Sequence, residues 1–126
     1  MPQAGDPVTA TRFRVEIDGL TASDFVEVLL PEASRGTGGE QFTPLVLRRG
    51  ASADRELADW WRQAALGKAA PKNVSVILLD GRGEAQIRWI FTRAEPLRYA
   101  ISRLNSLEPA VLVETMELKV EGFERG

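Results

Sequence analysis

The sequence predicts a mainly antiparallel β domain with one α-helix. Apolar and polar residues alternate with a period of two along several segments, which is typical of half-buried strands. Only one segment, from about Ala53 to Leu66, repeats its apolar residues at the spacing of a helix. Glycine and proline separate these segments, and the length of 126 residues fits a single domain that spans residues 1–126.

The first strand follows residues 1–10, which carry two prolines and which we predict to be a flexible N-terminal arm. The sequence RFRVEID (12–18) then alternates and ends at Gly19, as a half-buried strand does. Its inward residues are Phe13, Val15 and Ile17, and its outward residues are Arg14, Glu16 and Asp18.

Two further strands precede the helix. FVEVLL (25–30) is stopped by Pro31, and TPLVLRRG (43–50) closes at Gly50. The intervening EASRGTGGEQ (32–41) is rich in glycine, and we interpret it as a loop. Its GTGG stretch does not match a phosphate-binding loop, because no Gly-Lys-Ser/Thr follows and no helix begins there.

The helix is predicted from its start and stop signals as well as from its spacing. Ser52 is placed to cap it, and Gly67 supplies the exit. Asp54 and Glu56 fall in the first turn, where the helix dipole favours acids. The residues expected to anchor the helix to the sheet are Leu57, Trp60 and Trp61, with Ala64 completing the apolar stripe. The alternative, a platform that stacks sugars or bases, lacks basic residues within the stripe.

The segment VSVILLDGRGEAQIRWIF (74–91) predicts a β-hairpin that turns at Asp80-Gly81-Arg82-Gly83. A hairpin on a soluble domain is normally apolar on one face only. In the first arm, one face carries Val74, Val76 and Leu78, and the other carries Ile77 and Leu79. The second apolar face needs a surface to bury against.

The last strand follows a predicted loop around Glu95-Pro96 and an irregular connection through Asn105 to Pro109. In AVLVETMELKVEGF (110–123), one face carries Leu112, Met116, Leu118 and Val120, opposed by Thr115, Glu117, Lys119 and Glu121. Val111 and Val113 add a second apolar face at its start. We interpret the acids Glu114, Glu117 and Glu121 as a solvated face.

The composition argues against several classes of function. The chain has no cysteine and no histidine, so it lacks a disulfide framework, a thiolate metal site and the commonest general base. Its net charge is −2 with acids and bases interspersed, which argues against a nucleic-acid footprint. No nucleophile is placed beside a base, and no apolar run is long enough to span a membrane. We therefore expect no catalytic site, no cofactor, no bound metal, no secretory signal and no membrane insertion.

Several segments occur in an order that identifies a family. They are FRVEIDGL, a strand ending in LRRG, a short helix with a tryptophan pair, NVSVILLDGRGE followed by IRWIFTRAEPLRY, and the closing VETMELKVEGFER. From Phe13 to Arg125 this order resembles the contractile phage tail-tube protein family. That family includes the inner-tube proteins of extracellular contractile injection systems, and its fold is similar to the haemolysin-coregulated protein of type VI secretion.

The resemblance implies a small antiparallel β-barrel or sandwich with one α-helix packed on it. It also implies hexameric rings that can stack around a lumen, through which DNA or effector cargo passes without sequence-specific binding. The expected partners are further copies of the chain, sheath proteins, and baseplate or tube-initiator proteins. Such a protein is assembled in the cytoplasm and becomes a component of a phage tail or contractile injection particle.

The sequence departs from the family between the second and third strands. That segment spans only Pro31 to Thr43 and is glycine-rich, whereas family members usually carry a longer, charged segment that reaches the neighbouring ring. A shortened segment suits a tube initiator near the baseplate or a specialised ring. A monomeric tail adaptor or effector-loading module of the same fold is a further alternative.

A closed ring requires two different surfaces on each subunit. The second apolar faces are the candidates for this subunit contact, namely Ile77, Leu79, Val111 and Val113. These residues could instead lie under the helix of their own chain. The lumen wall should be polar and free of a strong basic patch. Its candidates are Arg14, Glu16, Asp18, Glu117, Lys119 and Glu121.

Overall fold

A computed structural model of the chain describes residues 12–102 and 112–126. Within these ranges the chain forms nine strands and a single helix, which confirms the predicted mainly β class. The elements are β1 (Arg12–Ile17), β2 (Phe25–Leu29), β3 (Ala33–Gly36), β4 (Gly39–Phe42), β5 (Leu45–Gly50), α1 (Glu56–Ala65), β6 (Lys72–Leu79), β7 (Ala85–Ile101), β8 (Val113–Lys119) and β9 (Gly122–Arg125). The predicted N-terminal arm, residues 1–10, lies outside the described residues.

The strands form two layers that share one long strand. β1, β6, the first part of β7 and β9 make the first layer, and the rest of β7, β8, β5 and β2 make the second layer. Every pairing is antiparallel. The architecture is therefore an open sandwich joined through β7, in agreement with the predicted barrel or sandwich.

β7 changes layer near Arg93, which has a positive φ of 53°. Pairing with β6 ends at Ala94, and pairing with β8 begins at Glu95. The predicted loop around Glu95-Pro96 is therefore wrong, because the strand continues to Ile101. A proline is tolerated here because this part of β7 has a neighbouring strand on one side only.

One hydrophobic core fills the space between the two layers. Side chains from both inner faces and from the helix belong to it, among them Ile17, Val74 and Phe91 from the first layer, Leu47 and Met116 from the second, and Leu57 from α1. Fully burying an aliphatic side chain of this size contributes about 1.5–3 kcal/mol relative to exposure. The period of two therefore sets the core by placing alternate residues of each strand inside.

The helix begins later than its sequence signals indicate. It spans Glu56 to Ala65, and its N-cap residue, Arg55, makes no side-chain capping hydrogen bond. The predicted Ser52 cap is wrong: the Ser52 hydroxyl accepts from the Asp54 backbone N–H, and the Asp54 carboxylate accepts from that of Glu56. The predicted exit is confirmed, because Gly67 has a φ of 70°.

The glycine-rich segment between β2 and β5 is a hairpin, so its interpretation as a loop is wrong. β3 and β4 pair with each other alone, and almost all of their side chains are exposed. The tip turns at residues 37–38, and Gly39, which begins β4 directly after the turn, has a φ of 102° that suits glycine. Because nothing in the hairpin is buried, no apolar alternation marks it in the sequence.

The predicted last strand is two strands separated by a bend at residues 120–121. β8 pairs with β5 and β7 in the second layer, and β9 then crosses to the first layer. A Cβ added at Gly122 would lie 3.1 Å from the Thr92 hydroxyl oxygen, so glycine permits the close approach of β9 to β7. No helix among the described residues is long and apolar enough to cross a membrane.

Candidate assembly surfaces

Among residues 12–102 and 112–126, the second layer has two free edges. β2 pairs only with β5, and the part of β7 from Glu95 to Ile101 pairs only with β8. Each edge has a register shift at an exposed apolar residue, Val26 in β2 and Leu97 in β7, which are 67% and 48% exposed. Unpaired strands with exposed apolar side chains are sites where a further strand can pair.

Ile77, predicted for the subunit contact, is fully buried within its own chain. It lies on the outer face of the first layer, where its cross-strand neighbours are Arg14 and Arg88. Glu16 Oε1 lies 3.7 Å from Arg14 Nε and 3.7 Å from Arg88 Nη2. The expectation that Ile77 is exposed is therefore wrong, because long charged side chains of the same face can cover it with their aliphatic parts.

The other predicted contact residues are less buried. Leu79 is half-buried and pairs with Arg12 and Ala85 at the end of the same face. Val113 is half-buried, pairs with Gly50 and lies on the outer face of the second layer. Val111 lies outside the described residues. The predicted contact residues thus do not form one patch, since they occupy opposite sides of the sandwich.

All three predicted anchors of the helix contact the core, to different depths. Leu57 is fully buried, Trp60 is 3% exposed, and Trp61 is half-buried at the margin of the core. The helix start is also tied to the chain after β1, because the Glu56 carboxylate accepts from the Thr21 backbone N–H at 2.9 Å. Leu20 and Lys72, at the ends of the first layer, line a cleft beside Trp60.

Five of the six predicted lumen residues divide between the two outer faces. Arg14 and Glu16 lie on the outer face of the first layer, and Asp18 follows them at the end of β1. Glu117 and Lys119 lie on the outer face of the second layer. Because the inner faces meet in the core, these outer faces point away from each other, and a single lumen can be lined by only one of them.

Glu121 belongs to neither outer face. It lies at the bend between β8 and β9, where its Oε2 is 3.0 Å from Arg93 Nε. This ion pair links the bend to the point at which β7 changes layer. Both side chains are more than half exposed, so the pair contributes little to stability.

The outer face of the second layer carries charges in opposite pairs. Arg48 pairs with Glu27 across β5 and β2, and Arg98 Nη1 lies 2.8 Å from Glu117 Oε2 across β7 and β8. Glu95 stands opposite Lys119 in the register of the same two strands. Of these residues only Glu117 and Lys119 were predicted as surface candidates, although the strict alternation of β5 and β8 also assigns Arg48 to this face.

A buried group of polar side chains closes one end of the second layer. The Arg49 guanidinium donates to Glu114 through Nε at 2.6 Å and to Asp54 through Nη1 at 2.8 Å. The Tyr99 hydroxyl donates to the other oxygen of Glu114. The interpretation of Glu114 as a solvated residue is wrong, because it is 4% exposed and shares the inner face with Met116.

The contacts within this group shift the pKa values of two of its members, Tyr99 and Asp54. Burial and the Glu114 carboxylate raise the pKa of Tyr99 to about 12. The Glu56 backbone N–H and the Arg49 guanidinium hold the pKa of Asp54 below its usual range. A guanidinium fixed between two carboxylates acts as a structural link among β5, β8 and the segment before α1. Among the described residues, no cluster of three or more acids could hold a metal ion.

Comparison with known proteins identifies the family of the chain. The family described as T4-like virus tail tube protein gp19 matches residues 9–124. The chain belongs to this family. It is therefore a structural tube subunit, a component of a phage tail or contractile injection particle. No curated protein sequence matches it significantly.

Several solved structures share the fold of this tail tube family member. A chain from the anti-feeding prophage baseplate, in a 6-fold symmetrised structure, superposes with a TM-score of 0.71 at 18% identity, covering 98% of this chain and 97% of that one. A chain from the PVC sheath-tube complex in the extended state gives a TM-score of 0.70 at 18% identity, with 95% and 91% coverage. Hcp1 from Flavobacterium johnsoniae gives 0.68 at 13% identity, with 90% and 94% coverage.

Proposed function

We propose that six copies of the chain join through the two free edges of the second layer to form a closed ring. The observation that carries the proposal is that these edges, β2 and the end of β7, are different from each other and each expose an apolar residue. Two different edges meet head to tail, and such contacts make rings when the rotation between copies closes. The joined layers then form one continuous sheet around the ring, without free edges.

Strand spacing gives the approximate size of this ring. The four strands of the second layer make each copy about 19 Å wide at about 4.8 Å per strand, so six copies enclose a circle about 37 Å across. A tilt of about 40°, as in closed barrels, widens the circle to about 48 Å. The lumen is therefore wide enough for a nucleic-acid duplex or a small folded protein.

The same estimate favours an arrangement with the second layer on the inside. The first layer would lie about 10 Å farther from the ring axis, because stacked sheets are about 10 Å apart. At that larger radius, the share of the circumference that belongs to each copy is about 10 Å longer than the width of its four strands. One helix with its side chains is about 10 Å in diameter. The helix α1 packs against β7 and lies near the chain after β1 and the start of β6, so we assign it to this gap.

In this arrangement the outer face of the second layer lines the lumen. Of the predicted lumen residues, Glu117 and Lys119 then face the lumen, whereas Arg14, Glu16 and Asp18 face the exterior. Sheath proteins would bind that exterior, as the solved sheath-tube complex of a related fold suggests. The role is structural rather than catalytic.

The position of the ring along the tube depends on the β3–β4 hairpin. This hairpin spans residues 33–42 and is the only described hairpin whose strands pair with neither layer. Its short reach favours a tube initiator, or another ring next to the baseplate or terminus, over a long stacked tube. We expect purified protein to form rings with little stacking.

Sizing chromatography and negative-stain microscopy test the ring. Wild-type protein should run as a hexamer and show rings, whereas Val26→Asp and Leu97→Asp should run as folded monomers, because a charge at either edge would be buried without a partner. Ala85→Asp is the matched control, since Ala85 is an exposed apolar residue at the start of β7, in the first layer. A monomeric wild type would instead indicate an adaptor or effector-loading module.

A further inference from the structure

A cleft rich in aromatic side chains opens beside the end of β2. Its volume is about 260 Å³, and its lining includes Leu30, Pro31, Phe42, Trp89, Phe91 and Phe123. The Phe123 ring centroid lies 6.0 Å from that of Phe42 and 6.4 Å from that of Phe91. Leu30 and Phe123 are 41% and 43% exposed, so the aromatic cleft is open to a further apolar group.

The strand order places the aromatic cleft on one side of the subunit. The first layer runs β1, β6, β7 and β9, and the second layer runs β7, β8, β5 and β2. Because β8 continues into β9, β9 and β2 lie on the same side of β7, whereas β6 and β1 lie on the other side. The cleft is lined by Phe123 of β9 and by Leu30, directly after β2, so it belongs to the side of β2.

The helix α1 lies on the opposite side of the subunit. It packs against β7 and lies near the chain after β1 and the start of β6. Its C-cap residue, Leu66, is an apolar side chain that is 60% exposed. A ring closed through β2 of one copy and the end of β7 of the next therefore brings the aromatic cleft of the first copy toward α1 of the second.

The charges beside the two surfaces are complementary. Arg62 lies in the last turn of α1 and Lys68 follows the helix, and both are exposed. At the aromatic cleft, the exposed acids Glu32 and Glu124 adjoin lining residues in the sequence and outnumber the base Arg125. A basic helix end can therefore approach an acidic cleft margin without repulsion.

Resting on the proposed ring, we infer that the aromatic cleft of one copy binds the end of α1 of the next copy and takes up its Leu66 side chain. The occupant is a second copy of the chain, because the cleft and α1 lie on the two sides that a head-to-tail contact joins. The contact lies at the radius of the first layer, where α1 is assigned to the gap between copies. It adds buried apolar surface to the strand pairing of the second layer.

Cross-linking between copies tests the inference. The chain has no cysteine, so the variant Leu30→Cys/Leu66→Cys carries only the two introduced thiols. The control Leu66→Cys/Ala85→Cys moves one thiol to an exposed position at the start of β7. Rings of each variant, verified by sizing, are treated with a short bismaleimide and separated on a denaturing gel. The first variant should give a ladder that extends to the hexamer, and the control should remain mostly as single chains.

Variants of Leu66 provide a second measurement. Leu66→Asp should keep the circular dichroism of the wild type but lose the rings on sizing, because its charge would be buried among aromatic rings without a partner. Leu66→Met should keep the rings, because methionine fills irregular apolar space. If the cysteine pair itself prevents assembly, these two variants decide the matter.

Several results would overturn the inference and leave the proposed ring intact. They are wild-type assembly of Leu66→Asp, rings of the Leu30→Cys/Leu66→Cys variant that give no ladder, an equal ladder in the control, or a link formed within one chain. Absence of wild-type rings would instead refute the proposed ring and this contact together, and sizing shows that before any cross-linking.

Discussion

Arg49 and Glu114 form a buried ion pair across β5 and β8, with 2.6 Å between Nε and Oε1 and only 3% and 5% of the two side chains exposed. The pair takes the place of two apolar residues at one end of the core, since Leu47 and Met116 form the adjacent cross-strand pair on the same inner face. The Phe25 ring lies over the guanidinium, 5.7 Å from its carbon to the ring centroid. The charges therefore specify how the end of the second layer and the segment before α1 fit together.

Removing one member of this pair should be more costly than removing both. We predict that Glu114→Ala lowers the free energy of unfolding by about 3–5 kcal/mol, because Arg49 is left buried with less compensation. The double variant Arg49→Met/Glu114→Leu should recover most of that loss. Urea unfolding measures both. Glu117→Ala is the control and should cost less than about 1 kcal/mol, because its partner Arg98 is largely exposed.

The alternation in the sequence could have revealed this pair. Leu45, Leu47 and Arg49 occupy alternate positions of one strand, and Glu114 and Met116 do so in another, so the period of two assigns both charged residues to the core. The expectation that charge means exposure led to the interpretation of Glu114 as solvated. The pattern reports which face a residue occupies, but it does not show which opposite charge will meet it there.

The other differences between prediction and structure have a related cause. Strands such as β1 and β6, which bury one face, were predictable because burial imposes the alternation. The β3–β4 hairpin buries no apolar face, and β7 changes layer within a single strand, so neither leaves a regular pattern. Free edges depend on which strands pair, which is a property of the topology and not of any local segment.

Tyr99 is the single tyrosine of the chain, so its ionisation can be followed as the pH is changed. The pKa of Tyr99 is raised to about 12, above its ordinary value of about 10. Between these values the folded chain keeps a proton that the unfolded chain loses, so stability is full below about pH 10 and falls as the pH rises toward 12. Absorbance at about 295 nm should show ionisation near pH 12 in the folded protein and near pH 10 in urea. A folded-state midpoint near 10 would contradict the contact with Glu114.

The tryptophan pair of the helix should separate into a core residue and a marginal one. We predict that Trp60→Ala costs about 3–5 kcal/mol, because Trp60 is almost fully buried among core side chains. Trp61→Ala should cost clearly less, because Trp61 is only half-buried. Thermal unfolding followed by circular dichroism gives both values. Equal losses would mean that the two side chains contribute alike to the attachment of the helix.

Ile77 and Val113 were predicted together for the subunit contact, and the structure now separates them. Ile77→Ala should cost about 2–5 kcal/mol in the monomer, because its side chain is fully buried between Arg14 and Arg88. Ile77→Asp should prevent folding altogether, since an unpaired charge would be buried there. Val113→Asp should fold, because Val113 is half-buried on the outer face of the second layer.

Whether Val113 takes part in the ring is then decided by assembly rather than by folding. Val113 pairs with Gly50 on one side. On the other side its carbonyl accepts from the backbone N–H of Ser102, which is one residue beyond the end of β7. Val113 is therefore close to the free edge that the proposed contact uses. We predict that Val113→Asp remains a folded monomer on sizing chromatography, whereas Val113→Thr, which keeps the shape of the side chain, still forms rings. A folded Val113→Asp protein that assembles as wild type would remove Val113 from the interface. A stable Ile77→Asp protein would show that the charged side chains over Ile77 do not seal it from water.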